Sequence, residues 1–202
     1  IYFRLEDSGM NHFAKVRATG GDIVREVSDD ASVRDFSISG GQTVLAITNA
    51  STPTELYNYA NDELTRLTFV SDEVLSGVAR AEVEKLRFES ADGTPVEAFL
   101  VKPVGYEAGT RYPTILWLHG GPASQFNFGY NDIAQLFAAN GYAVIMPNPR
   151  GSTGYGAEFA HGTVAAWGEK DFDDVMAAID YGIEIGMVDP QRTGVGGWSY
   201  GG

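Results

Sequence analysis

The chain has 202 residues, of which 44% are hydrophobic and 12% aromatic. This is enough apolar material for a folded core and argues against disorder. Lys and Arg number 14 against 27 Asp and Glu, for a formal net charge of -13, so the surface would repel nucleic acid and anionic lipid. No apolar run reaches the ~20 residues of a membrane-spanning helix. The sequence therefore predicts a protein that binds neither nucleic acid nor membrane.

The sequence contains no cysteine, which excludes disulfides and zinc–thiolate sites and fits a reducing compartment. We therefore expect a cytoplasmic protein without a metal ion or another cofactor, although a periplasmic or secreted location stays open. The first residue, Ile1, lies inside a strand-like pattern, and Gly202 directly follows the sharpest motif of the chain. Both ends therefore look cut.

Residues 1–81 alternate short apolar segments with polar turns, which is typical of antiparallel strands. The segments Phe13-Ala-Lys-Val and Arg25-Glu-Val-Ser-Asp are echoed by Leu56-Tyr-Asn-Tyr and Arg66-Leu-Thr-Phe. An offset of about 40 residues suits one four-stranded propeller blade. An antiparallel sheet of another kind is the alternative. The strands predicted in this part cover 1–5, 13–18, 23–27, 33–38, 43–48, 56–59 and 64–69.

Residues 82–202 have longer apolar runs and form the second predicted domain. A hairpin, 83–90 and 95–101, turns at Asp92-Gly93. Alternating strands and helices follow, which indicates a mostly parallel sheet with flanking helices. The strands are 114–118, 142–146 and 193–197. The first helix is marked by Ile133, Leu136 and Phe137, and the second, 170–185, by a stripe of Phe172, Val175, Met176, Ile179 and Ile183.

The segment Gly196-Gly-Trp-Ser-Tyr-Gly-Gly202 contains the G-x-S-x-G pattern of a nucleophile elbow, and it follows a predicted buried strand as that motif must. Such a turn holds its serine in a strained conformation and requires glycine where a β-carbon would strike neighbouring backbone. A glycine- and serine-containing loop is the alternative. The placement favours Ser199 as a nucleophile.

Attack on a carbonyl also needs N–H donors for the developing oxyanion. His119-Gly-Gly-Pro122 follows a strand, like the H-G-G loop that supplies such a donor in α/β-hydrolases, and the second donor is the N–H after the nucleophile. We predict Gly121 and Tyr200 as the donors. His119 is predicted to shape the loop rather than to act as a base, because the catalytic histidine comes last in this fold.

Two other polar segments look like a nucleotide-binding loop and a metal site, and the sequence disfavours both interpretations. The loop Asn148–Gly156 is glycine-rich but lacks the phosphate-loop pattern, so nucleotide binding is not expected. Arg150 within it is predicted to pin neighbouring loops. The acidic cluster Asp171, Asp173 and Asp174 stands at a helix start, where negative charge complements the helix dipole, and is not predicted to bind a metal.

Together, the segments beginning at His119, Asn148 and Gly196 resemble the prolyl oligopeptidase family of serine peptidases, closest to its acylaminoacyl-peptidase branch. The resemblance implies an α/β-hydrolase catalytic domain preceded by a β-propeller, so residues 1–81 would be the last blades. It also implies the same nucleophile and oxyanion donors, a Tyr200 ring that walls the substrate pocket, and a catalytic Asp and His downstream of the nucleophile.

The expected function is a serine peptidase that cleaves short peptides through an acyl-enzyme on Ser199, of the oligopeptidase, acylaminoacyl-peptidase or dipeptidyl-peptidase type. The expected partner is a peptide substrate. A carboxylesterase of the same fold is one alternative. A non-catalytic propeller and hydrolase protein that only binds ligands is the other. Because the predicted Asp and His lie downstream, residues 1–202 alone are expected to be inactive.

Overall fold

A computed structural model of the chain describes residues 1–27 and 31–202. The described chain divides into two compact units. Unit one holds Ile1–Val78 together with Asn127–Asn131, and unit two holds Ala79–Phe126 and Asp132–Gly202.

Unit one contains two antiparallel sheets. Apolar residues alternate along their strands, so that one face of each strand is buried. The first sheet has the order β1-β2-β3 and the second the order β4-β5-β6-β7, so within each sheet the strands pair in chain order. Two successive antiparallel sheets, one of them four-stranded, are consistent with the predicted propeller blades. The strands are β1 (Tyr2–Asp7), β2 (Met10–Lys15), β3 (Val24–Val27), β4 (Ser32–Ser39), β5 (Gln42–Asn49), β6 (Thr52–Ala60) and β7 (Glu63–Arg66), and a short helix, α1 (Val70–Val74), follows them.

The predicted sequence repeat corresponds to the last two strands of each sheet. Its first copy begins in β2 and β3, and its second copy begins in β6 and β7. Ser28 and Asp29, which end one segment of that repeat, lie outside the described residues. Phe13 of β2 is buried and packs on the rings of Tyr2, Phe36 and Tyr59, so the repeat marks the aromatic core of this unit.

Unit two contains a five-stranded sheet of order β12-β10-β11-β9-β8. The pairs β8–β9 and β9–β11 are antiparallel, whereas β11–β10 and β10–β12 are parallel. With its helices this is the α/β-hydrolase fold. Its elements are β8 (Val83–Glu89), β9 (Pro95–Val101), β10 (Tyr112–Leu118), α2 (Asp132–Ala139), β11 (Ala143–Asn148), α3 (Ala157–Ala160), α4 (Lys170–Glu184) and β12 (Val188–Gly197).

The predicted apolar stripe of α4 is confirmed for Val175, Ile179 and Ile183, which belong to the core, and is wrong for Phe172 and Met176, which are exposed. Phe172 is 57% exposed, whereas Ala178 and Gly182 are buried. A β-carbon on Gly182 would stand 2.6 Å from Val188 Cγ2, so the helix lies too close to the strands for a side chain at this position.

The helix α2 shows the same departure. Leu136, predicted to mark its apolar face, is 65% exposed, whereas Ala134, Gln135 and Ala138 are buried.

None of the helices in the described ranges has the length and hydropathy that a membrane crossing requires.

Parallel pairing of β10 with β12 determines where the motifs meet. Leu118 at the end of β10 is paired with Gly197 at the end of β12. Because parallel strands end at the same edge of a sheet, the loops that follow them, beginning at His119 and Trp198, emerge side by side.

Candidate active site

Ser199 stands on a strained turn directly after β12. Its φ is +57°, a left-handed conformation that non-glycine residues rarely adopt. Trp198 before it is still extended, and Ser199–Gly201 form a single 3₁₀ turn in which Gly201 N–H donates to the Trp198 carbonyl at 3.0 Å. The chain thus reverses direction at the serine, which is the geometry of a nucleophile elbow.

The glycines on either side of Ser199 are required by close backbone approach. A β-carbon on Gly197 would stand 2.1 Å from the Gly201 carbonyl oxygen, and one on Gly201 would stand 2.6 Å from the Leu118 carbonyl oxygen. Both distances are far inside van der Waals contact. The predicted collision with neighbouring backbone is confirmed at both positions.

The loop after β10 lies against the elbow. A β-carbon on Gly120 would stand 3.2 Å from Ser199 Cβ, so this glycine lets the loop approach the serine. Gly121 has a φ of +137°, and a β-carbon there would stand 2.8 Å from Ala123 N. Glycine at 121 therefore permits a backbone conformation that other residues cannot reach without strain.

His119 is held at both ring nitrogens. Its Nδ1 lies 2.8 Å from the Gly120 carbonyl oxygen and its Nε2 lies 3.0 Å from Ser152 Oγ. Burial lowers the pKa of His119, which favours the neutral ring. Because a carbonyl can only accept, we assign the proton to Nδ1. These contacts support the predicted loop-shaping role.

The glycine-rich loop after β11 buttresses the loop after β10. Asn148 accepts from Phe126 N–H at 2.7 Å and donates to the Phe126 carbonyl at 2.9 Å. Thr153 N–H donates to the Ser124 carbonyl at 2.9 Å. The loop thereby fixes the segment that follows His119–Pro122. Sequence reasoning missed Asn148, and its only local signal was a polar residue at the end of a buried strand.

The predicted pinning role of Arg150 is confirmed. Its side chain is buried and donates to both carboxylate oxygens of the fully buried Asp174, at 3.0 and 2.7 Å, and to Asp92 at 2.6 Å. The Asp174 hydrogen bonds raise the pKa of Arg150, and the Arg150 hydrogen bond holds the pKa of Asp92 well below its usual range. The helix-dipole interpretation was therefore incomplete for Asp174, whose partner is a guanidinium.

A cavity of about 460 Å³ opens beside Ser199. Its walls include Tyr200 and Asp171, whose side chains meet there: the Tyr200 hydroxyl donates to Asp171 Oδ2. Burial and, second, this hydrogen bond raise the pKa of Tyr200. The sequence placed Asp171 only at a helix start and missed this contact. Further wall residues are Leu118, His119, Pro149, Trp167, Phe172 and Val175.

The two remaining histidines lie apart from these motifs in the chain. His12 is buried in β2 of unit one, and His161 ends the short helix α3. Within residues 1–27 and 31–202, no cluster of three or more His, Cys, Asp or Glu side chains is arranged to hold a metal ion.

The fold and the site define the class: an α/β-hydrolase with a serine at its nucleophile elbow, preceded by propeller blades. Residues 128–202 match the prolyl oligopeptidase family. Over 174 residues the chain is 38% identical to the uncharacterized peptidase YuxL of Bacillus subtilis, covering 84% of this chain and 26% of that protein. It is 26% identical over 206 residues to dipeptidyl-peptidase 5 of Porphyromonas endodontalis, covering 100% of this chain and 30% of that protein.

A solved acylaminoacyl peptidase of Pyrococcus horikoshii superposes with a TM-score of 0.88 at 26% identity, covering 99% of this chain and 32% of that one. The match of residues 128–202 confirms the family resemblance that the motifs predicted. The chain spans about a quarter to a third of the length of these relatives.

Proposed function

We propose that this chain supplies the nucleophile and the oxyanion donors of a serine peptidase that cleaves short peptides. One observation carries the proposal: Ser199, on a strained turn directly after β12, lies close to Gly120 in the loop that follows β10. In the proposed reaction Ser199 Oγ attacks the scissile carbonyl. The N–H groups of Gly121 and Tyr200 bind the oxyanion. The base that takes the Ser199 proton passes it to the leaving amine, which departs to give an acyl-enzyme that water hydrolyses.

Two relatives support the proposed substrate class: one is named an acylaminoacyl peptidase and the other a dipeptidyl-peptidase. Both names describe removal of a short unit from a peptide end. We propose the same class of substrate here, with the cavity beside Ser199 and Tyr200 as part of its binding site. Residues 1–81 would then be propeller blades and residues 82–202 the first part of the catalytic domain.

The proton acceptor for Ser199 is proposed to be a histidine, oriented by an aspartate, both C-terminal to this chain in a longer protein. Two facts support this: the chain spans only part of its relatives, and this fold places its acid and histidine after the nucleophile. Without them the Ser199 hydroxyl stays protonated and weakly nucleophilic. Residues 1–202 expressed alone should hydrolyse neither peptides nor esters.

The test is Ser199→Ala in the full-length protein, assayed with dipeptidyl and N-acylaminoacyl p-nitroanilides and with p-nitrophenyl esters. We expect peptide hydrolysis to fall by several orders of magnitude while the melting temperature is kept, because members of a catalytic triad act as a unit. Ser39→Ala, an exposed serine of β4, is the control. Substantial hydrolysis by folded Ser199→Ala would refute the nucleophile, and turnover of esters alone would indicate a carboxylesterase.

A further inference from the structure

Asp171 is a buried carboxylate for which the proposed reaction has no direct use. It stands in the first turn of α4 and only 6% of its surface is exposed. Both of its oxygens accept hydrogen bonds: Oδ2 from the Tyr200 hydroxyl and Oδ1 from Gly168 N–H at 2.9 Å. Because burial of a charge is costly unless such donors are present, these two bonds orient the carboxylate toward the elbow.

The Tyr200 ring has a second contact, in addition to the hydrogen bond of its hydroxyl. Trp167 packs on it edge to face, with 5.2 Å between the ring centroids. Gly168, whose N–H donates to Asp171, directly follows Trp167 in the chain. One short segment therefore contacts both the Tyr200 ring and the carboxylate that accepts from the Tyr200 hydroxyl. A ring fixed at its hydroxyl and along its side leaves the tyrosine little freedom about its two side-chain torsions.

Tyr200 belongs to the same 3₁₀ turn as Ser199. A shift of its ring is therefore transmitted to the main chain that presents the Tyr200 N–H next to the nucleophile. Small misplacements of a donor are costly, since an oxyanion donor acts only at the place where charge develops.

We propose that Asp171 is a positioning residue for catalysis, which holds the Tyr200 ring so that the Tyr200 N–H points at the oxyanion. The inference rests on the proposed function. It assigns to Asp171 a role through Tyr200, distinct from that of its neighbour Asp174, whose carboxylate binds Arg150.

The variants for the test are Asp171→Ala, Asp171→Asn, Tyr200→Phe and the double variant Asp171→Ala/Tyr200→Phe, in the full-length protein. Asp173→Asn is the matched control, because Asp173 is an exposed carboxylate in the same helical turn. For Asp171→Ala we expect kcat for a peptide p-nitroanilide to fall on the order of tenfold with KM little changed. Asp171→Asn should keep part of the rate, since its amide oxygen still accepts from the hydroxyl.

Two further readouts separate positioning from a purely structural role. A peptide aldehyde, which forms an oxyanion on the serine, should lose affinity by the same factor as kcat falls, whereas loss of folded protein would not change its inhibition constant. The double variant should be no slower than the slower single variant, because both changes break one interaction. If Asp171→Ala fails to fold, Tyr200→Phe, which keeps the ring and the N–H, must show the same fall in kcat.

Ser199-dependent turnover with an unchanged kcat in Asp171→Ala and Tyr200→Phe would overturn the positioning role and leave the proposed function intact. Additive losses in the double variant would also overturn it. Absence of any Ser199-dependent turnover in the wild-type protein would overturn both.

Discussion

Gly120 faces Ser199 where β10 and β12 end, with no room for a side chain between them: a β-carbon built on Gly120 would stand 3.2 Å from Ser199 Cβ and 3.1 Å from the Trp198 carbonyl oxygen. Main-chain atoms of the elbow cannot swing aside as a flexible side chain can. Any side chain at position 120 must therefore displace either the glycine loop or the nucleophile.

Gly120→Ala is expected to lower kcat on the order of tenfold or more, because a shift of a few tenths of an ångström spoils the alignment of serine and donors. Gly194→Ala on β12 is the control, since a β-carbon there meets only the tip of Ile115 at 3.3 Å. Steady-state kinetics and thermal melts of both variants make the comparison. Equal kcat values would show that this contact does not constrain the nucleophile.

The Gly121 N–H can be tested with a pair of substitutions. Gly121→Ala and Gly121→Pro both disturb a φ of +137°, but only proline removes the N–H. We expect Gly121→Pro to lower kcat on the order of a hundredfold or more, to well below the value for Gly121→Ala. Indistinguishable kcat values for the two variants would contradict the assignment of Gly121 as a donor.

Arg150→Ala should destabilise unit two strongly, because it leaves the fully buried Asp174 without its cation. Removal of one partner of a buried pair costs about 3 to 5 kcal/mol of the free energy of unfolding. Arg87→Ala is the control: Arg87 also pairs with a carboxylate, Glu97, but is 74% exposed, and Glu97 keeps Lys85 as a second cation when Arg87 is removed. Urea denaturation of both variants measures the difference, and equal losses would show that Asp174 does not depend on Arg150.

Glu55 should make unit one sensitive to acid. Burial alone would raise its pKa, but the hydrogen bonds from Thr68 and Ser71 outweigh this effect and bring the pKa to about 2 from 4.5. Arg66 is also within 3.2 Å. A pKa that is lower in the folded state stabilises the protein above the unfolded value. The stabilisation is therefore complete above about pH 5 and is lost as the pH falls toward 2.

The measurement is the melting temperature of wild type and Glu55→Gln at pH 7 and at pH 3. We expect the variant to melt below the wild type at pH 7 and the gap to narrow at pH 3. A gap of the same size at both values would mean that the charge of Glu55 does not stabilise the blade.

Most strands, the antiparallel and mostly parallel sheets, and the nucleophile elbow could be predicted, because each depends on patterns in short stretches of sequence. Phe13, Leu45 and Val144 each lie in a strand that the local apolar pattern predicted, and Gly197 and Gly201 are needed by the turn that they flank. Apolar spacing predicted Val175, Ile179 and Ile183 on the buried face of α4 but not Gly182. The distance between helix and sheet, small enough to require Gly182 beside Val188, is a property of the packed unit.

The amino-acid sequence by itself determined the fold class, through the order of its apolar runs and turns, and the serine and glycine motifs, which depend on neighbours within a few positions. Only the tertiary structure decided which polar groups are partners. Asp171 and Asp174 stand three positions apart on one helix, yet one carboxylate accepts from Tyr200 and the other binds Arg150. Their partners come from different loops, brought to the helix start by the order in which the parallel strands pair, and a linear pattern of charges carries no record of that order.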